Sequence, residues 1–513
     1  MLTYDMEKNR GLPLYEYLYS CIRQDIIQGR ILPGEKLPSK RSLARNHGVS
    51  VITAEHSYEQ LLEEGYITAV EKRGYFVENI EAIGGRAVHM DEKNQKEPAD
   101  AEADTKASDR LSGEAGRPVY LTSQEESGTS GRGLSEASSG RGGVTDLTSG
   151  RLSYTGFPFN IWGRLMKNSL LDEEGTFFQS PESTGVLPLR NAIARHLREF
   201  RGLTVKAENI IVGAGTEYLY GILVQLLGRS SMIAVEDPGH LKISRIYETN
   251  GIKVVHIPVD QQGFSVDSLG NNRVSAVHIS PAHHFPTGVI MSAGRRHRLI
   301  NWGREHGSYI IEDEYDSEFN FSGRAVPAMA SLDPEIIIYM NTFSRSLSPS
   351  VRIAYMVLPE ELMKRYRRRL DFYSGTVSST DQYTLAAFIE GGYYERHLAR
   401  MKNFYSKRRK NIINILSSVA GLTVMGTDAG LHLTVKVENW DKNRSLTDEL
   451  LDRGVRLNEV ALYCYRPQPA FDDCLVVSYS SAGPEEIQQL ADCLKELISS
   501  TEAGPAGVCK KTH

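Results

Sequence analysis

The chain is poor in the features that would tie it to a membrane, a metal or an oxidising compartment. It has five cysteines in 513 residues, at positions 21, 464, 474, 493 and 509. They are odd in number and scattered, with no CxxC spacing. This excludes a disulfide framework and gives no zinc signature, so free thiols in a reducing, cytoplasmic setting are expected and no metal is predicted. No apolar run is long enough to span a bilayer. The start, MLTYDMEKNR, is polar and charged and lacks the hydrophobic stretch of a signal peptide. No strong charge of either sign is present: 59 Lys and Arg face 64 Asp and Glu, a net of −5. A global attraction to nucleic acid is thereby excluded, and any such contact has to come from a local basic patch.

What is present falls into several parts. The length calls for two or three domains rather than one core. Residues 11–79 are dense in periodic apolar positions. From 80 to 143 the pattern stops, in stretches such as DEKNQKEPADAEADTKASDR and SQEESGTSGRGLSEASSGRGG. So few large apolar residues cannot offset the entropy of ordering, and a flexible low-complexity linker is predicted. Order returns over 144–500, and 501–513 reads as a disordered tail.

In the first part, Leu14, Leu18, Cys21, Ile22 and Ile26 share one helical face that Gly29 should end. After the turn LPGEKLP, Ser39 reads as the cap of a short helix, KRSLARNH, stopped by Gly48. Ser50 reads as the cap of the next, with Ala54, Tyr58, Leu61 and Leu62 facing inward. Two β-prone runs, YITAV and YFVEN, flank the basic turn EKRG and predict a hairpin. Two short helices around a glycine turn, followed by a hairpin, make a winged helix-turn-helix. The segments GRILPGEKLPSKRSLARNHGVS and YEQLLEEGYI resemble the DNA-binding module of the GntR family of bacterial regulators. That resemblance implies that the second helix of the turn enters the major groove of operator DNA. Ser50, Thr53 and His56 would then face base edges or phosphates. Lys40 and Arg41 would hold the backbone, with Lys72 and Arg73 on the wing.

From Asn209 onward, short β-branched runs bounded by Gly, Pro or Asp alternate with helical stretches: NIIVGAG, SMIAVEDPG, IKVVHIPVD, VSAVHISPAHHFPTG, YIIEDEYDSEF, IIIYMNTFSRS. This predicts an α/β domain with a mostly parallel sheet, whose site lies at the carboxyl ends of the strands. Polar residues cluster at those ends: Gly215 with Thr216, His240, His283 with His284, Asp313 with Tyr315, and Thr342 to Arg345 with Arg352.

The motifs VEDPGH, PAHHFPTGVIMS, IIEDEYDSEF and NTFSRSLSPSVRIAY together resemble fold-type I aminotransferases, which use pyridoxal 5′-phosphate (PLP). With the N-terminal module, the chain resembles a MocR-type regulator, a winged helix fused to an aminotransferase-like domain. The resemblance implies a homodimer. It assigns Gly215, Thr216, Thr342 and Arg352 to the cofactor phosphate. It assigns Asp313 to the pyridinium nitrogen, Tyr315 to the ring hydroxyl and His240 to stacking on the ring.

The lysine that such enzymes join to the cofactor aligns with position 345, which is Arg, and no lysine lies between Lys253 and Lys364. A guanidinium stays charged and its nitrogens are poor nucleophiles, so it can neither condense with the aldehyde nor shuttle the proton. The stretch DDCLVVSYSSAG also lacks the arginine expected to hold a substrate carboxylate. PLP is therefore expected without a covalent link, as a PLP–amino acid adduct, or lost. Three readings stay open: a regulator that senses a small molecule without turnover, a working aminotransferase with a DNA-binding module, and a dimeric scaffold blind to ligand.

Overall fold

The computed structural model describes residues 4–78 and 144–502, apart from 7–8, 10–12, 29, 64–65, 71–72, 149–151, 153–155, 172–179, 271, 322–326 and 442–443. The predicted linker, Gly29, Lys72 and residues 503–513 of the predicted 501–513 tail lie outside these described residues, while Thr501 and Glu502 of that tail belong to the last helix.

The first module contains α1 (Leu14–Ile27), α2 (Lys40–His47), α3 (Val51–Glu63) and the hairpin β1 (Ile67–Val70) and β2 (Gly74–Val77). Leu18, Ile22 and Ile26 recur every fourth residue and are buried with Tyr19. Leu14 continues that row but is exposed, and Cys21 is only half-buried. The caps follow the sequence. Ser39 Oγ accepts from Ser42 N at 3.2 Å, and Gly48 ends α2 at φ 65°, where a Cβ would be strained. Ser50 Oγ accepts from Thr53 N at 3.0 Å, which starts α3. Leu18, Ile22, Leu43, Ala54, Tyr58 and Leu61 meet in one core, and the hairpin pairs Ile67 with Val77.

The large domain opens with the short β3 (Thr145–Asp146), α4 (Phe159–Leu170) and α5 (Leu187–Arg201). Strands and helices then alternate through β4 (Ile210–Gly213), α6 (Thr216–Leu227), β5 (Met232–Asp237), α7 (Leu241–Thr249), β6 (Lys253–Asp260), β7 (Gly263–Phe264), β8 (Ala276–Ile279), α8 (Ala293–His306), β9 (Tyr309–Glu314), β10 (Ile337–Thr342) and β11 (Ala354–Val357). They form one sheet of order β4-β11-β10-β9-β8-β5-β6-β7. The run from β10 to β6 is parallel, and β11 lies antiparallel between β10 and β4. Both faces are covered, which is why the strands read as unbroken apolar runs. Ile210, Val212 and Tyr339 pack on one side with Leu189, Ile193 and Leu385. Their neighbours Ile211, Ile338 and Met340 pack on the other with Leu219, Leu223 and Leu362.

After α9 (Glu360–Arg369), α10 (Ser379–Glu390) and the long α11 (Tyr393–Ser417) comes a smaller antiparallel sheet. Its strands are β12 (Leu422–Met425), β13 (His432–Val437), β15 (Asn458–Glu459) and β16 (Cys474–Ser478). Between β13 and β15 lie α12 (Leu446–Asp452) and β14 (Val455–Arg456), the latter pairing with β3. The closing helix α13 (Pro484–Glu502) packs with α11 on this sheet, through Leu490, Leu494, Tyr405 and Ile412 against Leu433, Val435, Leu475 and Val477. Among the described residues no helix is long and apolar enough to cross a membrane.

Candidate functional site

The parallel strands end on one side, and the loops that leave them enclose a cavity of about 370 Å³. All eight cofactor positions expected from the sequence line it: Gly215, Thr216, His240, Asp313, Tyr315, Thr342, Arg345 and Arg352. They are far apart in the chain and meet because each follows or closes a strand of the same sheet.

Asp313, at the end of β9, is buried. Its Oδ2 accepts from the Tyr220 hydroxyl on α6 and lies 3.3 Å from His278 Nε2. His278 Nδ1 in turn lies 2.8 Å from the Tyr247 hydroxyl. This chain of hydrogen bonds orients the carboxylate. Oδ1, by contrast, is buried with no hydrogen-bond partner among the described residues. A buried carboxylate oxygen left open costs free energy unless a donor arrives, and it belongs to a residue on the cavity wall.

Gly215 sits in the turn from β4 to α6 at φ 93°. A Cβ there would lie 2.6 Å from Arg352 Nη2 and 2.9 Å from Glu217 Oε2. The glycine therefore serves both the backbone conformation and close approach at a helix N-terminus, where N–H groups are unpaired and anions are favoured. Arg352 is held at φ 50° and is exposed. The Thr342 hydroxyl contacts Ile353 O at 3.3 Å and Ser344 Oγ at 3.1 Å, which ties the end of β10 to the turn that carries Arg345. An orphaned carboxylate oxygen at one end and a glycine-lined helix start with an arginine at the other suit a ring nitrogen and a phosphate. The residues present fit PLP.

Tyr315 is half-buried, and its hydroxyl donates to His283 O at 3.2 Å. Burial pushes its phenol well above the ordinary value, Asp316 adds to the rise, and the positive charge of Arg345 opposes it. His240, at the start of α7, is exposed and packs against Phe285 with ring centres 5.2 Å apart. Arg345 is half-buried in the turn after β10.

Several residues at the site have no role that the sequence assigns. Tyr220, one helical turn after Thr216, has no motif of its own. Glu236 lines the cavity, and burial raises its carboxyl to about 8 despite a 3.0 Å bond from Ser280 N. His283 Nδ1 lies 2.9 Å from Asp316 Oδ2, and His432 comes from β13, in the other sheet. Donor atoms of His283, Asp316 and His432 all lie within 4.8 Å of one another. The charge of Arg345 helps, after burial and His283, to hold His432 neutral, and the same charge opposes a dication there. Arg466 is exposed and does not line the cavity. Val476 and Ser478 of β16 do, so the strand expected to hold a carboxylate presents no arginine.

In the first module, Arg41, Ser50 and His56 are exposed and Thr53 is half-buried. Thr53 Oγ1 shares a 2.8 Å bond with Ser50 Oγ. Lys40 is 2.7 Å from Glu55 of α3 and lies over the Tyr75 ring at 5.7 Å. Arg73 is exposed on the hairpin over Phe76 at 5.6 Å.

Comparison with known proteins agrees with this two-part architecture. Residues 143–494 match the aminotransferase class I and II family, and residues 14–77 match the bacterial regulatory proteins of the gntR family. The uncharacterized HTH-type transcriptional regulator YdeL of Bacillus subtilis is 33% identical, over 91% of this chain and 93% of its own. The probable rhizopine catabolism regulatory protein MocR of Rhizobium meliloti is 29% identical, over 98% and 97%. The chain belongs to the MocR-type regulators. Its large domain also has the aminotransferase fold. A multiple substrate aminotransferase from Thermococcus profundus aligns at TM-score 0.60 and 22% identity, over 70% of this chain and 92% of its own. The α-aminoadipate aminotransferase LysN from Thermus thermophilus aligns at TM-score 0.60 and 18% identity, over 71% and 94%. This MocR-type chain is thus a transcriptional regulator whose second domain has the fold of PLP-dependent enzymes.

Proposed function

We propose that this regulator binds operator DNA as a homodimer and reads the level of a phosphorylated PLP-like ligand without turning it over. The observation that carries this reading is the mismatch inside one cavity. Its eight expected residues converge and Asp313 Oδ1 awaits a donor, yet the residue at the lysine position is Arg345. PLP supplies a reactive aldehyde and a ring that stores electrons. Asp313 would hold the ring nitrogen, Tyr315 the ring hydroxyl, and Gly215, Thr216, Thr342 and Arg352 the phosphate. Arg345 adds a fixed cation where an enzyme needs an amine, so a carboxylate on the ligand finds a partner and no covalent link forms. A sensor needs only different affinities in two conformations. The relative named as a pyridoxine biosynthesis regulator, PdxR of Corynebacterium glutamicum, is 26% identical over 93% of this chain and supports a ligand of this class.

At the DNA, the N-terminal end of α3 with Ser50, Thr53 and His56 is the reading edge, and Arg41, Lys72 and Arg73 are the phosphate contacts. Lys40 joins them only by leaving Glu55.

The test is a titration of the full-length protein with PLP, run beside Arg345→Lys, following the visible absorbance band and the emission of the three tryptophans. The parent is expected to show quenching without the band, and Arg345→Lys to gain it. Turnover of an amino acid by the parent, or no response from either protein, would overturn the reading.

A further inference from the structure

The phosphate end of the cavity already contains an anion. Glu217, the second residue of α6, directs its carboxylate to Lys242 of α7 and to Arg352 Nη2 at 2.9 Å. Its Oε2 lies 2.9 Å from the place a Gly215 Cβ would take, which puts the carboxylate against the glycine of the cradle. All four residues line the cavity. Burial by itself would raise this carboxyl. The hydrogen bonds from Lys242, from its own backbone N–H and from Arg352 reverse that and bring it down to about 2. It is therefore an anion at every physiological pH, bonded to an N–H and to the cations that a phosphate would use. At the other end of the same cavity, Asp313 Oδ1 is buried and unpartnered among the described residues. One end thus awaits a ligand group, while the other is filled from within.

We propose that Glu217 is a built-in counter-anion that occupies the phosphate end of the pocket, and that a phosphorylated ligand binds by displacing it from Arg352 and Lys242. This rests on the reading of the cavity as a pocket for a phosphorylated ligand and adds how that ligand is admitted. Two cations and one carboxylate leave a single net positive charge, a poor match for a phosphate dianion. Once the carboxylate turns away, both cations face the phosphate. The exchange sets a threshold concentration, because affinity is reduced by the stability of the closed arrangement. It also reports occupancy to α7, since Lys242 must change partner. A ligand without a phosphate has no reason to move Glu217, so the residue governs specificity at this end.

The experiment measures dissociation constants of the full-length parent and of Glu217→Gln for PLP, pyridoxal and inorganic phosphate, with Glu217→Ser as a second variant if the first folds poorly. Thermal melts without ligand establish that each protein is folded. The expected result is at least tenfold tighter binding of PLP and of inorganic phosphate by the variant, with pyridoxal changed less than twofold. Equal or weaker PLP binding by Glu217→Gln would overturn the proposal and leave the pocket reading intact, since Glu217 would then be a brace that helps build the site. Equal tightening of PLP and pyridoxal would also overturn it, because the effect would not involve the phosphate. If the folded parent and both variants bind none of the three probes, the pocket reading fails, and this proposal with it.

Discussion

Arg73 and Thr53 illustrate how single residues in the DNA module separate by role. Arg73 is exposed on the hairpin with its guanidinium over the Phe76 ring, where it can reach a phosphate. Arg73→Ala is expected to weaken binding to all sequences alike and to lower the slope of log K against log salt by about 1. Equal slopes for parent and variant would remove it from the phosphate contacts. Thr53 is bonded to Ser50 Oγ at 2.8 Å and sits where α3 begins. Thr53→Ala is expected to change which sequence is selected from a random pool, and an unchanged selected site would remove it from base reading. At this scale the sequence was legible wherever a residue belongs to a recognisable run. It was not legible for Glu217, Lys242 and His432, whose roles depend on neighbours brought from other strands and helices.

Local signals specified the helical and turn elements well because their causes lie within a few residues. Ser39, Gly48 and Ser50 act on backbone groups three or four positions away, which is why the two central helices of the module are marked in the sequence itself. Ser50→Ala removes the acceptor for Thr53 N and is expected to cost about 1 kcal/mol in urea unfolding. A loss below a few tenths would mean that the cap contributes little to α3. The row Leu14, Leu18, Ile22 and Ile26 was equally clear, yet Leu14 is exposed at 41%. Periodicity describes a face, but whether something covers every turn of that face is decided elsewhere in the chain.

For the whole molecule, buried titratable groups make stability depend on pH in two opposing ways. His284 is held at about 3, chiefly by burial. Its folded value lies below the unfolded one, so the unfolded chain binds the extra proton, and stability falls as pH drops from about 6.5 toward 3. Glu236 is raised to about 8, chiefly by burial. Its folded value lies above the unfolded one, so its contribution is fully present below about 4.5 and is lost as pH rises through 8. Glu236→Gln is therefore expected to gain stability relative to the parent between about pH 5 and 8.5. The gain is a few kcal/mol at most, because each pH unit between the unfolded and folded values is worth about 1.4 kcal/mol. Parallel melting curves for the two proteins across that range would show that Glu236 ionises normally in the fold.

The sequence by itself determined the winged helix, the alternation of strands and helices, the identity of the eight cavity residues and the missing lysine. The first two are properties of local periodicity and capping, carried by neighbours in the chain, and the last two rest on motifs that resemble those of fold-type I aminotransferases. Only the tertiary structure decided what those residues do to one another. It left Asp313 Oδ1 open while Tyr220 and His278 closed Oδ2, paired Lys40 with Glu55, and placed Glu217 between Lys242 and Arg352. Hydrogen bonds and charge pairs act over a few ångströms of space, and residues that close can be more than a hundred positions apart in the chain.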